Sequence, residues 1–468
     1  MTKAELIHRL TDVEWEDFEV KRAQSELPKN IWSTISAFSN TAGGWLILGI
    51  EQKGKTYNIT GVNNIEKLEQ DFINTLRGDK FNVKIVPRCK RYTFNNKKVL
   101  AFYIPISNKK PIYYNSLSNT FIRTGSGDQK ATNEETDAMF RDQAFGTRTT
   151  LLTEFDVNCI NDLSFNRYRD YLTRFNPSHR YTKLTKAELL QKLQILIDDK
   201  LTYAGLLMFG KNDFIQKVFT DFRIDLLEIP GISYSNAKTR YTYRLEEQEN
   251  LWEYYFALFE RLYMRIDIPF KMGAEGFAVE NSPPLEAIRE ALVNMLMHTD
   301  YFSPAKPRIR IFSNKIEFAN PGTLPLSIEN LLKTDTSMPR NPILAKTFRT
   351  VKLAENAGFG FDKMIDGWKS YKGVSPEFYA DITSTILTFN LQNINERVND
   401  TVNDTVNDRQ KDIIKEIIKN KYITLIQLAN KLNVSRLTIF RNIQKLKEKQ
   451  ILERIGSDKT GYWEIIKD

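Results

Sequence analysis

Residues 398–408 read Val-Asn-Asp-Thr-Val-Asn-Asp-Thr-Val-Asn-Asp, one tetrad almost three times over. The stretch is low in hydrophobicity, and its copies are too few and too polar to stack as a solenoid, so no core runs through it. It reads as an exposed linker over 395–408 that divides the 468-residue chain into a body and a sixty-residue tail. The tail, 409–468, holds 14 Lys and Arg against 7 Asp and Glu, which is +7 of the formal net charge of +9. Residues 1–140 hold 20 against 16, and residues 141–408 hold 33 against 35. Both ends therefore favour polyanions, which is an argument about partners rather than fold.

The body exceeds the ~250–300 residues at which single cores stop growing, so several domains are expected. Hydrophobic content of 41% and charged content of 27% are those of a globular protein. No apolar run reaches the ~18 residues of a membrane span, and Met1-Thr-Lys-Ala-Glu-Leu is no signal peptide, so no membrane partner and a cytoplasmic location are expected. Cys89 and Cys159 form no CxxC pair, and three scattered histidines have no zinc-ligand spacing.

Periodicity predicts an α+β domain over 1–145, with helices at 31–39 and 65–76 and strands at 45–50, 83–86, 98–106 and 120–123. A connecting α/β domain over 146–280 is expected to have helices at 186–198 and 246–265 and strands at 204–209 and 222–228. A third unit, 281–394, opens after Pro283-Pro284 with a helix to His298, continues through strands at 308–312 and 315–318, and closes on a strand at 384–391.

The tail reads as three helices and a hairpin. Ile413, Ile414, Ile417 and Ile418 mark the first helix, Thr424 caps the second, and Ser435 caps the third. In the third helix Leu437, Phe440, Ile443 and Leu446 form the expected buried stripe. Arg436, Thr438, Arg441 and Lys445 lie off it, where a recognition helix presents side chains to the major groove. Two strands around Gly456-Ser-Asp-Lys459-Thr form a wing, with Lys459 set to meet a phosphate. The segment resembles the winged helix-turn-helix of bacterial transcription regulators, which implies DNA as partner and a homodimer reading two half-sites. The alternative is a winged helix used for protein contacts alone.

Near the N-terminus, Gly49-Ile-Glu-Gln-Lys-Gly54-Lys55-Thr56 satisfies GxxxxGK[ST]. A phosphate-binding loop needs a helix to start at the Lys-Thr pair, whereas the chain continues Tyr57-Asn-Ile-Thr-Gly61, rich in β-formers, and predicts a hairpin. Glu14, Glu19-Val-Lys21, Ala37-Phe-Ser-Asn-Thr-Ala-Gly43-Gly44, Gly49-Ile-Glu51-Gln52 and Gly61 together resemble the AlbA-like domain of the Schlafen family. Some Schlafen relatives cut RNA with three metal-binding acids, and by position Glu14, Glu19 and Glu51 would be that set. Gln52 stands where the family has a second Asp, which removes one carboxylate. The alternative leaves these as surface charges in a domain that only binds nucleic acid, DNA or RNA. Arg88, Lys90, Arg91, Lys97, Lys98, Lys109, Lys110 and Arg123 interleave with Tyr92, Phe94 and Tyr113, giving charge for phosphates and rings for stacking.

Glu286, Glu290, Asn294 and His298 recur every four residues and share a helical face. The run from Glu286 to Tyr301, with Asn320-Pro-Gly322, Arg340-Asn-Pro342 and Glu355-Asn-Ala-Gly358-Phe-Gly360, resembles the RecG-like C-terminal domains, a variant of the GHKL α/β sandwich. That resemblance implies ATP with Mg²⁺, Asn294 as the magnesium ligand and Glu290 as the water-orienting base of a weak ATPase. Asn320, Gly322, Gly358 and Gly360 would lie at the nucleotide. An amide at Asn320, where the family has the adenine-recognising Asp, alters that hydrogen bond. The alternative is a polar cluster of Asn294, His298 and Asp300 inside a dimerisation or scaffold domain. The whole reads as an α+β multidomain protein.

Overall fold

The computed structural model describes residues 1–11, 17–54, 56–125, 127–237, 239–266, 282–325, 328–331, 338–354, 360–392, 408–448, 451–455 and 461–466. Glu14, Gly358, Lys459 and the repeat up to Asn407 lie outside them. The chain forms two compact units, Met1–Phe145 and Gly146–Asp468.

The first unit runs α1 (Lys3–Thr11), β1 (Phe18–Lys21), α2 (Ile31–Asn40), β2 (Gly44–Leu48), β3 (Ile50–Lys53), β4 (Thr56–Ile59), α3 (Ile65–Arg77), β5 (Arg88–Phe94), β6 (Lys97–Ile104), β7 (Phe121–Thr124), β8 (Gly127–Lys130) and α4 (Asn133–Asp142). Its main sheet has the order β1-β2-β6-β5. The apolar run of β2 is buried because both faces are covered: Leu46 and Leu48 pack with α2 and α3, and Ile47 packs with Leu6 and Val20. Between α2 and β2 the chain turns at Gly43, with φ +74°, and a Cβ on Gly44 would strike the Phe38 ring, so the glycine pair is required by the turn and by packing. The strand expected at 83–86 is absent. The pairing strand is β5, because the cross-strand partners of the apolar β6 run lie at 88–94. The expected hairpin at 49–61 is present as β3 and β4, with Glu51 opposite Asn58, so the GxxxxGK[ST] match opens no helix.

The second unit continues with α5 (Asp162–Phe175), α6 (Lys186–Lys192), β9 (Leu196–Ile197), β10 (Lys200–Leu201), α7 (Tyr203–Phe209), α8 (Asn212–Val218), β11 (Asp225–Glu228), β12 (Tyr243–Arg244) and α9 (Leu251–Tyr263). Then follow α10 (Pro283–His298), β13 (Arg308–Ile311), β14 (Lys315–Pro321), α11 (Ile328–Leu331), α12 (Pro342–Thr350), α13 (Gly360–Lys372), β15 (Glu377–Ala380) and β16 (Ser384–Asn390). The expected strand at 204–209 is the helix α7. Thr202 caps it through the Gly205 N–H at 3.0 Å, and every residue from Ala204 to Phe209 is buried, so the apolar run had no period to read.

One six-stranded sheet, β12-β11-β13-β14-β16-β15, draws strands from both sides of residue 280. β11 lies parallel to β13, with Leu226 opposite Ile309. The segment expected to connect is therefore part of the same sheet and of one continuous core, running from Cys159 to Phe389.

The tail forms α14 (Asp408–Lys419), α15 (Leu425–Lys431), α16 (Arg436–Glu448), β17 (Leu452–Ile455) and β18 (Tyr462–Ile465). Thr424 and Gln427 close a capping box at α15. The core joins Ile413, Ile414, Ile417, Leu428, Ile439, Ile443, Leu446 and Leu452, and Trp463 ties the hairpin down by donating from its ring N–H to the Ile423 carbonyl at 3.0 Å.

Candidate nucleic-acid interface and ligand cavity

Helix α16 is fixed by its start. Asn433 takes the left-handed conformation, φ +50°, at the turn, and Ser435 Oγ accepts from the Thr438 N–H at 3.2 Å. The Ser435 and Thr438 hydroxyls lie 2.8 Å apart, so both serve the helix start. Arg436, Arg441 and Lys445 are exposed. The expected stripe needs one correction: Phe440 is 44% exposed, and Ile439 takes its place in the core at 0%. The helix is rotated by about 100° per residue, so one position exchanges inward for outward. The side chain of Leu437 lies outside the described residues. Phe440 borders a groove with Arg436, Gln444, Lys447, Arg454 of β17 and the exposed Ile426. The spacing 436, 440, 444 is the signal that could have found this face.

In the first unit the two described acids of the set singled out in the sequence, Glu19 and Glu51, are already paired. Glu19 lies 2.8 Å from Lys21 Nζ and 3.0 Å from Arg123. Glu51 sits 3.6 Å from both Arg22 and Lys53. Among the described residues no group of three His, Cys, Asp or Glu could hold a metal ion. Several expected phosphate contacts are also committed elsewhere. Arg123 is buried against Glu19, Asp128 and the Phe38 ring, and Arg91 pairs with Glu69 at 2.7 Å. Burial pulls the Lys110 ammonium down to about 8, with Asp142 opposing. Arg88, Lys90, Lys97 and Lys98 remain exposed along β5 and β6.

In the second unit a cavity of about 130 Å³ lies between α10, the sheet and the start of α13. Glu290, Asn294 and His298 line it from α10, Asn320 and Gly322 from β14, and Gly360 and Phe361 from α13. Asn294 donates to Glu290 Oε1 at 3.2 Å. The side-chain oxygen of Asn320 accepts from the buried Thr299 hydroxyl. A Cβ on Gly360 would collide with the Glu290 carboxylate, which would have to move to admit any larger residue. Burial, with Arg340 adding, pushes His298 down to about 4, so its imidazole is neutral. Asp300, expected beside it, accepts instead from the Phe302 N–H at 3.2 Å. The Asn341 amide donates to the Met297 and Thr299 carbonyls, which explains the Arg-Asn-Pro motif as the clasp between α10 and α12.

Comparison with known proteins matches these pieces. Residues 14–132 match the model described as Schlafen, AlbA_2, and residues 409–462 match an HTH domain. Residues 305–389 match the recG C-terminal model, whose description names an ATP-dependent DNA helicase, and residues 137–225 match a domain of unknown function. The chain carries Schlafen AlbA_2, recG C-terminal and HTH domains. Among solved structures, the DIP2311 protein of Corynebacterium diphtheriae is 18% identical, with 99% of this chain and 96% of that chain covered at a TM-score of 0.43. The N-terminal domain of a RecG-related protein from Nitrosomonas europaea is 25% identical over 28% of this chain and 95% of that one, with a TM-score of 0.22. No curated protein matches the chain.

The recG C-terminal match begins after α10, so Glu290, Asn294 and His298 fall before it, although they line the same cavity as Asn320 and Gly360. Of the residues expected at a nucleotide, the cavity gathers Glu290, Asn294, Asn320, Gly322 and Gly360. His298, on the same helical face, also lines the cavity, although the family resemblance implies no ligand role for it. No described helix is long and apolar enough to cross a membrane.

Proposed function

We propose that this protein is a cytoplasmic DNA-binding transcriptional regulator in which the HTH domain reads DNA and the recG C-terminal-type cavity senses a small molecule, a nucleotide or a part of one. The observation that carries it is the row of exposed cations on α16, Arg436, Arg441 and Lys445, in a segment holding +7 of the net charge. Helix dipole and side chains together meet a phosphate backbone there, and side chains off the core face reach base edges. The AlbA_2 domain adds exposed lysines and arginines on β5 and β6 that suit a second nucleic-acid contact. As a homodimer the protein would span two half-sites about 34–36 Å apart.

The test is binding of the full chain, and of the chain cut before residue 409, to fragments of chromosomal DNA recovered with the intact protein. The full chain should bind with an affinity that falls steeply with salt, and the truncation should lose most of it. Equal affinity in the truncation would refute the assignment.

A further inference from the structure

The cavity beside α10 fits one chemical class of ligand better than the one its family resemblance implies. Its described lining contains a single charged side chain, Glu290, and no Lys or Arg. Arg340, close enough to influence His298, is turned onto backbone: it donates to the Thr323 carbonyl at 3.0 Å, and its guanidinium fills the space a Cβ on Gly322 would need. The first residue of α13 is where a phosphate would seek helix N–H groups, yet the Glu290 carboxylate already packs against Gly360 there. A magnesium-bound triphosphate would bring more negative charge beside that carboxylate in a poorly solvated site. The volume of about 130 Å³ is also below the ~300–1,000 Å³ that sites for larger ligands occupy. The described residues do not fit Mg-ATP.

The other polar groups are neutral and suit a flat ring. The His298 imidazole lines the cavity and makes no hydrogen bond among the described residues, so it offers one donor and one acceptor without net charge. Asn294 and Asn320 present amides on adjoining walls. Met295, Met364, Phe318 and Phe361 supply polarisable, apolar surfaces of the kind that hold aromatic rings.

We propose that this cavity binds an uncharged heteroaromatic ring of nucleobase size, with His298 hydrogen-bonded to its edge and the Glu290–Asn294 pair beside it. The assignment rests on the sensing role proposed above. A base docks between the methionine and phenylalanine walls, pairs its N and N–H edge with the imidazole, and brings no negative charge towards the Glu290 carboxylate.

Titration calorimetry on the full chain with adenine, guanine and uracil, and separately with ATP plus magnesium, tests it. At least one base should bind with one-to-one stoichiometry, and Mg-ATP should bind at least about tenfold more weakly. His298→Leu should weaken base binding by about tenfold, the scale of one hydrogen bond to a buried partner. If that variant fails to fold, the wild-type comparison decides alone. No binding of any base at millimolar concentration, Mg-ATP binding tighter than every base, or unchanged base affinity in a folded His298→Leu would each overturn the inference. DNA affinity measured on the same protein without ligand keeps the two readings separate: its loss would overturn only the regulator reading, and its persistence without base binding would overturn only this one.

Discussion

The guanidinium of Arg123 lies 3.0 Å from the carboxylate of Glu19, with only 4% of the arginine side chain exposed. It also reaches Asp128 at 2.8 Å and the Phe18 carbonyl at 3.2 Å, so one cation ties the ends of β1, β7 and β8 together. Glu19 thus has a role in holding the AlbA_2 domain that is independent of any metal.

Replacing Arg123 with Met should leave two largely buried carboxylates without their shared guanidinium, Glu19 keeping Lys21 and Asp128 keeping the Thr34 hydroxyl. Breaking such a pair costs about 3–5 kcal/mol, so a clear drop in the melting temperature of the full chain is expected. Lys90→Ala on the exposed β5 strand should leave the melt unchanged. Equal melts for wild type and Arg123→Met would show that the pair is idle.

Gly360→Ala places a methyl group against the Glu290 carboxylate. Alanine is otherwise the better helix former, so a stability loss of roughly 1–3 kcal/mol would report the collision alone. In a Glu290→Ala background the same substitution should cost little or stabilise. Urea denaturation of the four proteins in this cycle measures the coupling, and additive effects would contradict the contact.

His298 gives a pH dependence with a definite sign. Its folded-state pKa, pushed to about 4, lies below the ordinary value of 6.5, so between these values the unfolded chain holds a proton that the folded one refuses. Stability is fully present above about pH 6.5 and falls as pH drops towards 4, by about 2 kcal/mol between pH 7 and pH 5. His298→Gln should flatten that part of the profile in denaturant titrations. An unchanged profile would mean that another group is responsible.

On α16, Arg441→Ala and Lys445→Ala should each weaken DNA binding and reduce the slope of log affinity against log salt by about 1, with the melting temperature intact. Ile439→Ala should instead destabilise the HTH domain by about 2–5 kcal/mol, because this residue is wholly buried. Phe440→Ala, at 44% exposure, should affect DNA binding more than folding. Anisotropy and thermal melts on the same proteins separate the two effects.

Local features were legible in the sequence, and long-range ones were not. The capping residues Thr424 and Ser435, the hairpin at 49–61 and the glycine pair at 43–44 each rest on a few neighbouring residues whose chemistry admits one local solution. The apolar run at 204–209 lacked a period because α7 is buried on every side, and only tertiary packing chose helix. The misplaced strand at 83–86 has the same cause, since only pairing with β6 selects β5. Phe440 was placed inward because it is apolar, while the helix phase set by Ile439, Ile443 and Leu446 turns it out. The cavity could be assembled only in part, because β14 and α13 join α10 through contacts with no sequence trace.

The parallel pairing of β11 with β13 bears on how this gene product can be dissected. A clone begun at residue 281, or at the edge of the recG C-terminal match, would strip β13 of its neighbour and display a bare row of backbone donors and acceptors bordered by Ile309 and Ile311. Such an edge recruits other chains into fibrils or inclusion bodies. A fragment meant to isolate the cavity therefore has to retain β11, and with it the core that begins at Cys159, and insolubility of a shorter one would say nothing about the ligand.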